Sequence, residues 1–438
     1  MTATISRHPT GARPEAVAHY DTACHQLRCL IEDPVASVDA ALHASPDFVM
    51  AHVLKGYLHI LGTEPGGLPV ARACHDATLP LSGTTQERAH IAALGHLADG
   101  RWHEAGRVLE DVSIADPLDA VALQVGHQID FFTGQSRMLR DRIVRALPAW
   151  DRSMPAYHAI LGMHAFGLEE NAQYAEAEAQ GRFGVELQPR DGWSQHAVAH
   201  VLEMQGRPLD GIAWMTGNPD AWSRDSFFAT HNWWHVALYH LELGDTEAAL
   251  AMCDGPVHGG QSGLVLDLID ASALLWRLHL RGVDVGARWD AVADHWAPIA
   301  TASNYAFNDV HAVMAFVGAG RRNAANEVLA AQREALRGFG DNAAFTREVG
   351  YPVAQAIRAF GDGDYATTVS LLRPVRAIAH RFGGSHAQRD VLDLTLIEAA
   401  FRADQPGLAA ALVTERLAWK PASPLSRLFA GRAGLGER

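Results

Sequence analysis

Two helix-like segments carry five histidines between them. His196 and His200 lie in GWSQHAVAHVLEMQGR, and His231, His235 and His240 in FFATHNWWHVALYHLELGD. A spacing of four residues puts two imidazoles one turn apart on one helix face. Such pairs suit two kinds of chemistry. Neutral imidazole, with a pKa of about 6.5, moves protons near neutral pH. Two pairs and a carboxylate can instead hold a divalent metal, and Glu203 follows His200 on the same face. The glutamate that directly follows the first histidine of a zinc-protease helix is missing. Metal-free acid–base work is therefore the preferred reading. A divalent metal is the lesser option, no cofactor is identified, and no residue is assigned as a metal ligand.

The histidines recur beyond these two segments. Counted back from the turn that ends each segment, His158 and His231 stand thirteen residues before it. His90, His196, His235 and His311 stand nine or ten before, and His127, His164 and His200 six or seven. These offsets share one helix face. A single histidine on such a face is most often a buried, hydrogen-bonded ring; the repetition is what favours a site. Trp233 and Trp234 read as core, because adjacent helical residues diverge by about 100°. The candidate catalytic residues are His196, His200, His231, His235 and Asp309. Asn232, Asn308 and His311 are candidates for orienting a substrate.

The elements that carry this stripe are helix pairs. Turns recur at Gly62, Gly100, Gly134, Asn171, Gly206, Gly244, Gly282, Gly320 and Gly363, and more weakly near Asp404, at intervals of 34 to 43 residues. Glycine there accepts the left-handed backbone that ends a helix. Each turn follows an apolar helix, as in AHVLKGYLHILG, and precedes an Ala-rich one, as in DTEAALAMCD. A period slightly above 34 is that of a tetratricopeptide-like repeat. Alternating β-branched runs and hairpin turns are absent. The expectation is an all-α solenoid of about ten pairs, more than two-thirds helical, curved and able to close nearly on itself. First helices then line the concave side, and the stripe lines a cavity. The array is read as one domain over 15–425, with flexible ends at 1–14 and 426–438. The glycine-rich stretch GPVHGGQSG reads as a mobile linker.

A second polar group opens a helix near the C-terminus in RFGGSHAQRD. Ser385 suits an N-cap. His386 and Arg389 are candidate substrate-binding residues, because a helix N-terminus welcomes an anion.

Composition narrows the function classes. The net charge of −14 argues against nucleic acid as the main partner. No run approaches the roughly 18 apolar residues of a membrane span, and no signal peptide is recognisable. Four cysteines without metal-site or disulfide spacing suit a reduced, cytoplasmic setting. GxSxG, GxGxxG and phosphate-loop motifs in their structural context are missing.

HAVAHVLEMQGR, HNWWHVALYHLELGD, SNYAFNDVHAVMAF and GGSHAQRDV resemble the tetratricopeptide repeat protein 38 family. The likeness covers about 15 to 420, and GGSHAQRD is its most distinctive part. It implies an all-helical repeat fold in a soluble protein and carries over no catalytic residue. Two functions remain from the sequence. One is a small-molecule site using histidine acid–base chemistry. The other is a scaffold that binds a protein or peptide without catalysis.

Overall fold

The computed structural model describes residues 9–435. The expected flexible ends lie partly outside these residues, at 1–8 and 436–438; the described chain is helical from Pro14 and again over Pro424–Arg432. Helix accounts for 74% of the described residues, which meets the two-thirds expected from turn spacing. Among the described residues the only β-type pairing is an isolated bridge between Ile31 and Ser226.

The helices run as pairs. They are α1 (Pro14–Cys29) with α2 (Pro34–Ala44), α3 (Val49–Leu61) with α4 (Gly67–Thr78), α5 (Thr85–Ala98) with α6 (Trp102–Ala115), and α7 (Ala120–Phe132) with α8 (Ser136–Ala146). Next come α9 (Tyr157–Glu169) with α10 (Tyr174–Leu187), α11 (Gly192–Met204) with α12 (Pro208–Thr216), the short α13 (Pro219–Ser223), and α14 (Ala229–Glu242) with α15 (Thr246–Met252). Then follow α16 (Val265–Leu280) with α17 (Arg288–Trp296), α18 (Ala306–Gly318) with α19 (Arg322–Ala335), and the short α20 (Asp341–Phe345). The last are α21 (Tyr351–Gly361) with α22 (Tyr365–Val375), α23 (His386–Arg402) with α24 (Pro406–Trp419), and α25 (Pro424–Arg432). This is the tetratricopeptide-like helix-pair repeat.

The turns explain the pairing. Gly100, Gly134, Gly206, Gly244, Gly282, Gly320 and Gly363 all take positive φ, between 65° and 82°. After Gly62 and Asn171 the left-handed position falls on the next residue, Thr63 or Ala172, and at the last turn on Asp404. The α1–α2 pair precedes the ten expected ones. Its turn has no glycine: Leu30 and Glu32 carry the positive φ, at 59° and 58°.

First and second helices differ in burial as an inner and an outer layer must. Every residue of α9 after Tyr157 is buried, whereas α10 buries only Ala177, Gly181 and Gly184. Close approach needs small residues at defined points. The Tyr239 ring on α14 lies 2.3 Å from where a Cβ on Gly211 of α12 would sit. Its hydroxyl donates to the Ala199 carbonyl at 2.6 Å.

Contacts divide the chain into two compact units. Unit 1 is Met1–Val198 with Pro219–Ala229, and unit 2 is Ala199–Asn218 with Thr230–Arg438. In unit 1 the first pair meets the last elements. Ser226 Oγ donates to the Leu30 carbonyl at 2.9 Å, and Arg190 pairs with Glu32 at 3.1 Å. In unit 2, α16 packs against both α18 and α23. The Trp276 indole N–H donates to Thr395 Oγ1 at 3.0 Å, and Ser423 donates to Glu242. Among the described residues no helix is long and apolar enough to cross a membrane.

Candidate functional site

Unit 2 brings three of the predicted histidines together. His200 leaves the second half of α11, and His231 and His235 leave α14 one turn apart. The His200 and His235 ring centroids are 4.5 Å apart, and those of His231 and His235 are 5.1 Å apart. One ring nitrogen of each lies within 4.8 Å of the others'. His200 and His235 are fully buried, and His231 is partly so.

Two of the rings are held by carboxylates. His231 Nδ1 meets Asp270 at 2.9 and 3.0 Å, and His235 Nδ1 meets Glu203 at 3.2 Å. In a neutral ring, a carboxylate at Nδ1 fixes the proton there and turns Nε2 into a lone-pair acceptor. Burial is the main cause that lowers the His200 pKa well below its ordinary value; the nearby His235, His231, His386 and Lys420 side chains add to it. Burial also lowers His235, against the raising effect of Glu203. Burial would raise Glu203, but the His235 hydrogen bond and the Lys420 charge outweigh it and hold the carboxylate below its usual range. The centre thus combines neutral imidazoles at His200 and His235 with the ionised Glu203 carboxylate behind them.

Glu203 also forms part of a cleft wall, with Arg277, Asp390, Lys420 and Tyr239. The cleft holds about 430 Å³ of empty space, solvent at its mouth included. Lys420 Nζ stands 3.7 Å from Glu203. Arg416 grips Asp390 through two bonds of 2.6 and 3.0 Å, both side chains buried. Arg277 lies over the Trp234 ring at 5.2 Å and donates to the carbonyls of Ala273 and Ala387. Burial lowers its pKa to about 10, opposed by Asp390 and Glu203.

The other candidates stand on α11, α14, α18 and α23. His196 belongs to unit 1, where it is 2% exposed and packs on Phe166, Trp193 and Phe228 with centroids 4.9 to 5.5 Å away. Asn232 is buried on α14, between His231 and His235 in sequence. Asn308, Asp309 and His311 are buried on α18. His311 Nδ1 donates to the Phe307 carbonyl at 2.8 Å, and burial lowers its pKa to about 4. Asp309 accepts from Ser303 Oγ at 2.8 Å, yet burial raises its pKa to about 7. Ser385 caps α23 as expected, and Gln388 completes the capping box. His386 and Arg389 open that helix. Arg389 turns back to the Gly384 carbonyl and reaches His386 Nδ1 at 3.4 Å.

No protein-family model matches the chain. Among solved structures it is similar to a chain of the APC/C hetero-tetramer Cut9-Hcn1, at 12% identity over 98% of this chain and 77% of that one, with a TM-score of 0.45. The TPR domain of P58(IPK) matches at 15% identity over 89% of this chain and 98% of that one, with a TM-score of 0.19. The assignment of the fold rests on the helix order and turns of this chain.

Sequence reasoning missed Asp270, Arg277 and Lys420. Their signal was available for α16: VLDLIDASALLWRLHL is apolar nearly all round, and a charge inside such a helix is buried with a purpose. In unit 1 the stripe serves a structural end instead. His90 meets Asp119 at 2.9 Å and His158 meets Asp191 at 2.7 Å. Both aspartates also accept backbone N–H groups at the start of the next first helix, from Ala122 and from Ser194. These histidines tie one repeat to the helix cap of the next. His158→Ala should therefore cost roughly 1–3 kcal/mol by leaving buried Asp191 short of a donor, read as a lower midpoint in urea unfolding.

Proposed function

We propose that unit 2 is a small-molecule site whose reactive centre is His200, His231 and His235, and that these three imidazoles hold a divalent metal ion. One observation carries the reading. Two of the rings have a carboxylate on Nδ1, and the three offer nitrogens within 4.8 Å of one another. The carboxylate–histidine arrangement is the one that orients metal ligands and raises their basicity. Tetrahedral zinc–imidazole bonds bring ligand nitrogens to roughly 3.4 Å, so the rings need close by at most about 1.5 Å. Clustered imidazole nitrogens favour a cation between them. The depressed pKa values of His200 and His235 make a proton a poor choice at neutral pH. A metal held there would act as a Lewis acid on a bound molecule or water. Glu203 joins the centre to the cleft where such a molecule would enter. The reading includes kinship with the tetratricopeptide repeat protein 38 family, whose resemblance runs through the segments bearing His200, His231 and His235.

Calorimetric titration with zinc tests this. The purified, chelator-treated protein should bind one zinc per chain and melt roughly 5–10 °C higher at metal saturation. His200→Ala/His235→Ala should lose both effects while staying folded. A wild-type protein that takes up no zinc, cobalt or manganese sinks the proposal.

A further inference from the structure

Unit 1 holds a second cleft, built by α1, α7, α9 and the start of α11. It encloses about 340 Å³ of empty space, solvent at its mouth included. Arg28, His127, Gln128 and Trp193 line it together with Leu30 and Met163. No carboxylate is among its lining residues.

Two of the polar groups there are donors in want of an acceptor. Arg28 is only 8% exposed, and its Nε is buried without a hydrogen-bond partner. No ion pair forms on its guanidinium among the described residues, in contrast to Arg142, which is gripped by Asp130 at 2.7 and 3.0 Å in the same unit. The Trp193 indole N–H is likewise buried without a partner. Burial, helped by the Arg142 charge, lowers the His127 pKa to about 3 against the raising effect of a backbone hydrogen bond at Leu139, so that ring is neutral. A buried guanidinium with no anion is an expensive arrangement. Its planar fork matches a carboxylate through two parallel bonds. Leu30, Ala159 and Met163 give the cleft an apolar lining beside these donors.

We propose that this cleft binds a small monocarboxylate, its head on Arg28 and the Trp193 N–H and its apolar body against Leu30, Ala159 and Met163. The site uses none of the residues of the histidine centre, so the two proposals stand or fall separately.

The test is a thermal melt of the full chain at constant ionic strength with 10 mM hexanoate, benzoate or inorganic phosphate. Hexanoate or benzoate should raise the melting temperature by roughly 2–5 °C, and phosphate should leave it unchanged. Arg28→Met should fold, since it removes an uncompensated buried charge, and should lose the carboxylate shift. Trp193→Phe keeps a ring against Phe166, whose centroid lies 5.0 Å away, and should reduce the shift. It serves in place of Arg28→Met if that variant does not fold. Three results overturn the proposal: no shift with either carboxylate, a shift with phosphate alone, or a full carboxylate shift in either variant.

Discussion

Asp390→Asn should destabilise unit 2 by about 3–5 kcal/mol. The Arg416–Asp390 pair is bidentate and both partners are buried. Removing the carboxylate leaves Arg416 charged in the interior. It also removes the nearby counter-charge that Arg277 and Lys420 feel. The loss exceeds that of an exposed pair such as Arg337–Glu334, worth about 0.2–1 kcal/mol at most. Burial would raise the Asp390 pKa, but Arg416, then Lys420, outweigh it and hold the group well below the carboxylate range. A depressed folded pKa means stability that is present above the unfolded value, about 3.9, and lost as pH falls below it. Wild type and Asp390→Asn should therefore differ fully at pH 5 to 8 and converge as the pH drops below about 4. Urea midpoints across that range check it; equal midpoints at pH 7 contradict it.

Asp309→Asn should have the opposite sign. Burial raises its pKa to about 7, despite the hydrogen bond from Ser303. The unfolded chain ionises this carboxyl at about 3.9. A raised folded pKa gives stability that is whole below the unfolded value and is lost as pH rises through the folded one. Between pH 4 and 7 the wild type should lose roughly 2–4 kcal/mol through this group alone. Asparagine keeps the shape and removes the titration, so the variant should be the more stable protein at pH 8. The two should approach each other at pH 4. A variant less stable than wild type at pH 8 would mean that the carboxylate has a partner it needs. That would place Asp309 in a fixed hydrogen-bond network rather than in reserve for proton transfer.

The turns made the fold readable. Where Gly100, Gly206 or Gly320 takes the left-handed position, residue type announces the backbone. The α1–α2 turn was invisible because Leu30 and Glu32 hold positive φ without a glycine to mark it. With that pair went Arg28, so the cleft of unit 1 left no trace in the sequence. The histidine offsets report a shared helix face but could not sort its members. His90 and His158 meet aspartates that cap the next helix. His196 packs among aromatic rings. His231 and His235 meet Asp270 and Glu203, one on a later helix and one on an earlier. Offsets report the face a side chain shares, whereas the partner across the interface comes from another repeat some 30 to 40 residues away. Arg389 had the right type for an anion, but its long side chain satisfies the Gly384 carbonyl of its own helix start.

The central claim is that His200, His231 and His235 are ligands of one metal ion. X-ray absorption at the zinc edge of the zinc-loaded protein addresses it most directly. The account predicts nitrogen or oxygen neighbours at about 2.0–2.1 Å, with the outer-shell scattering of roughly three imidazoles. That scattering should fall in His235→Ala. A first shell of sulfur at about 2.3 Å, or a spectrum without imidazole scattering, would contradict it.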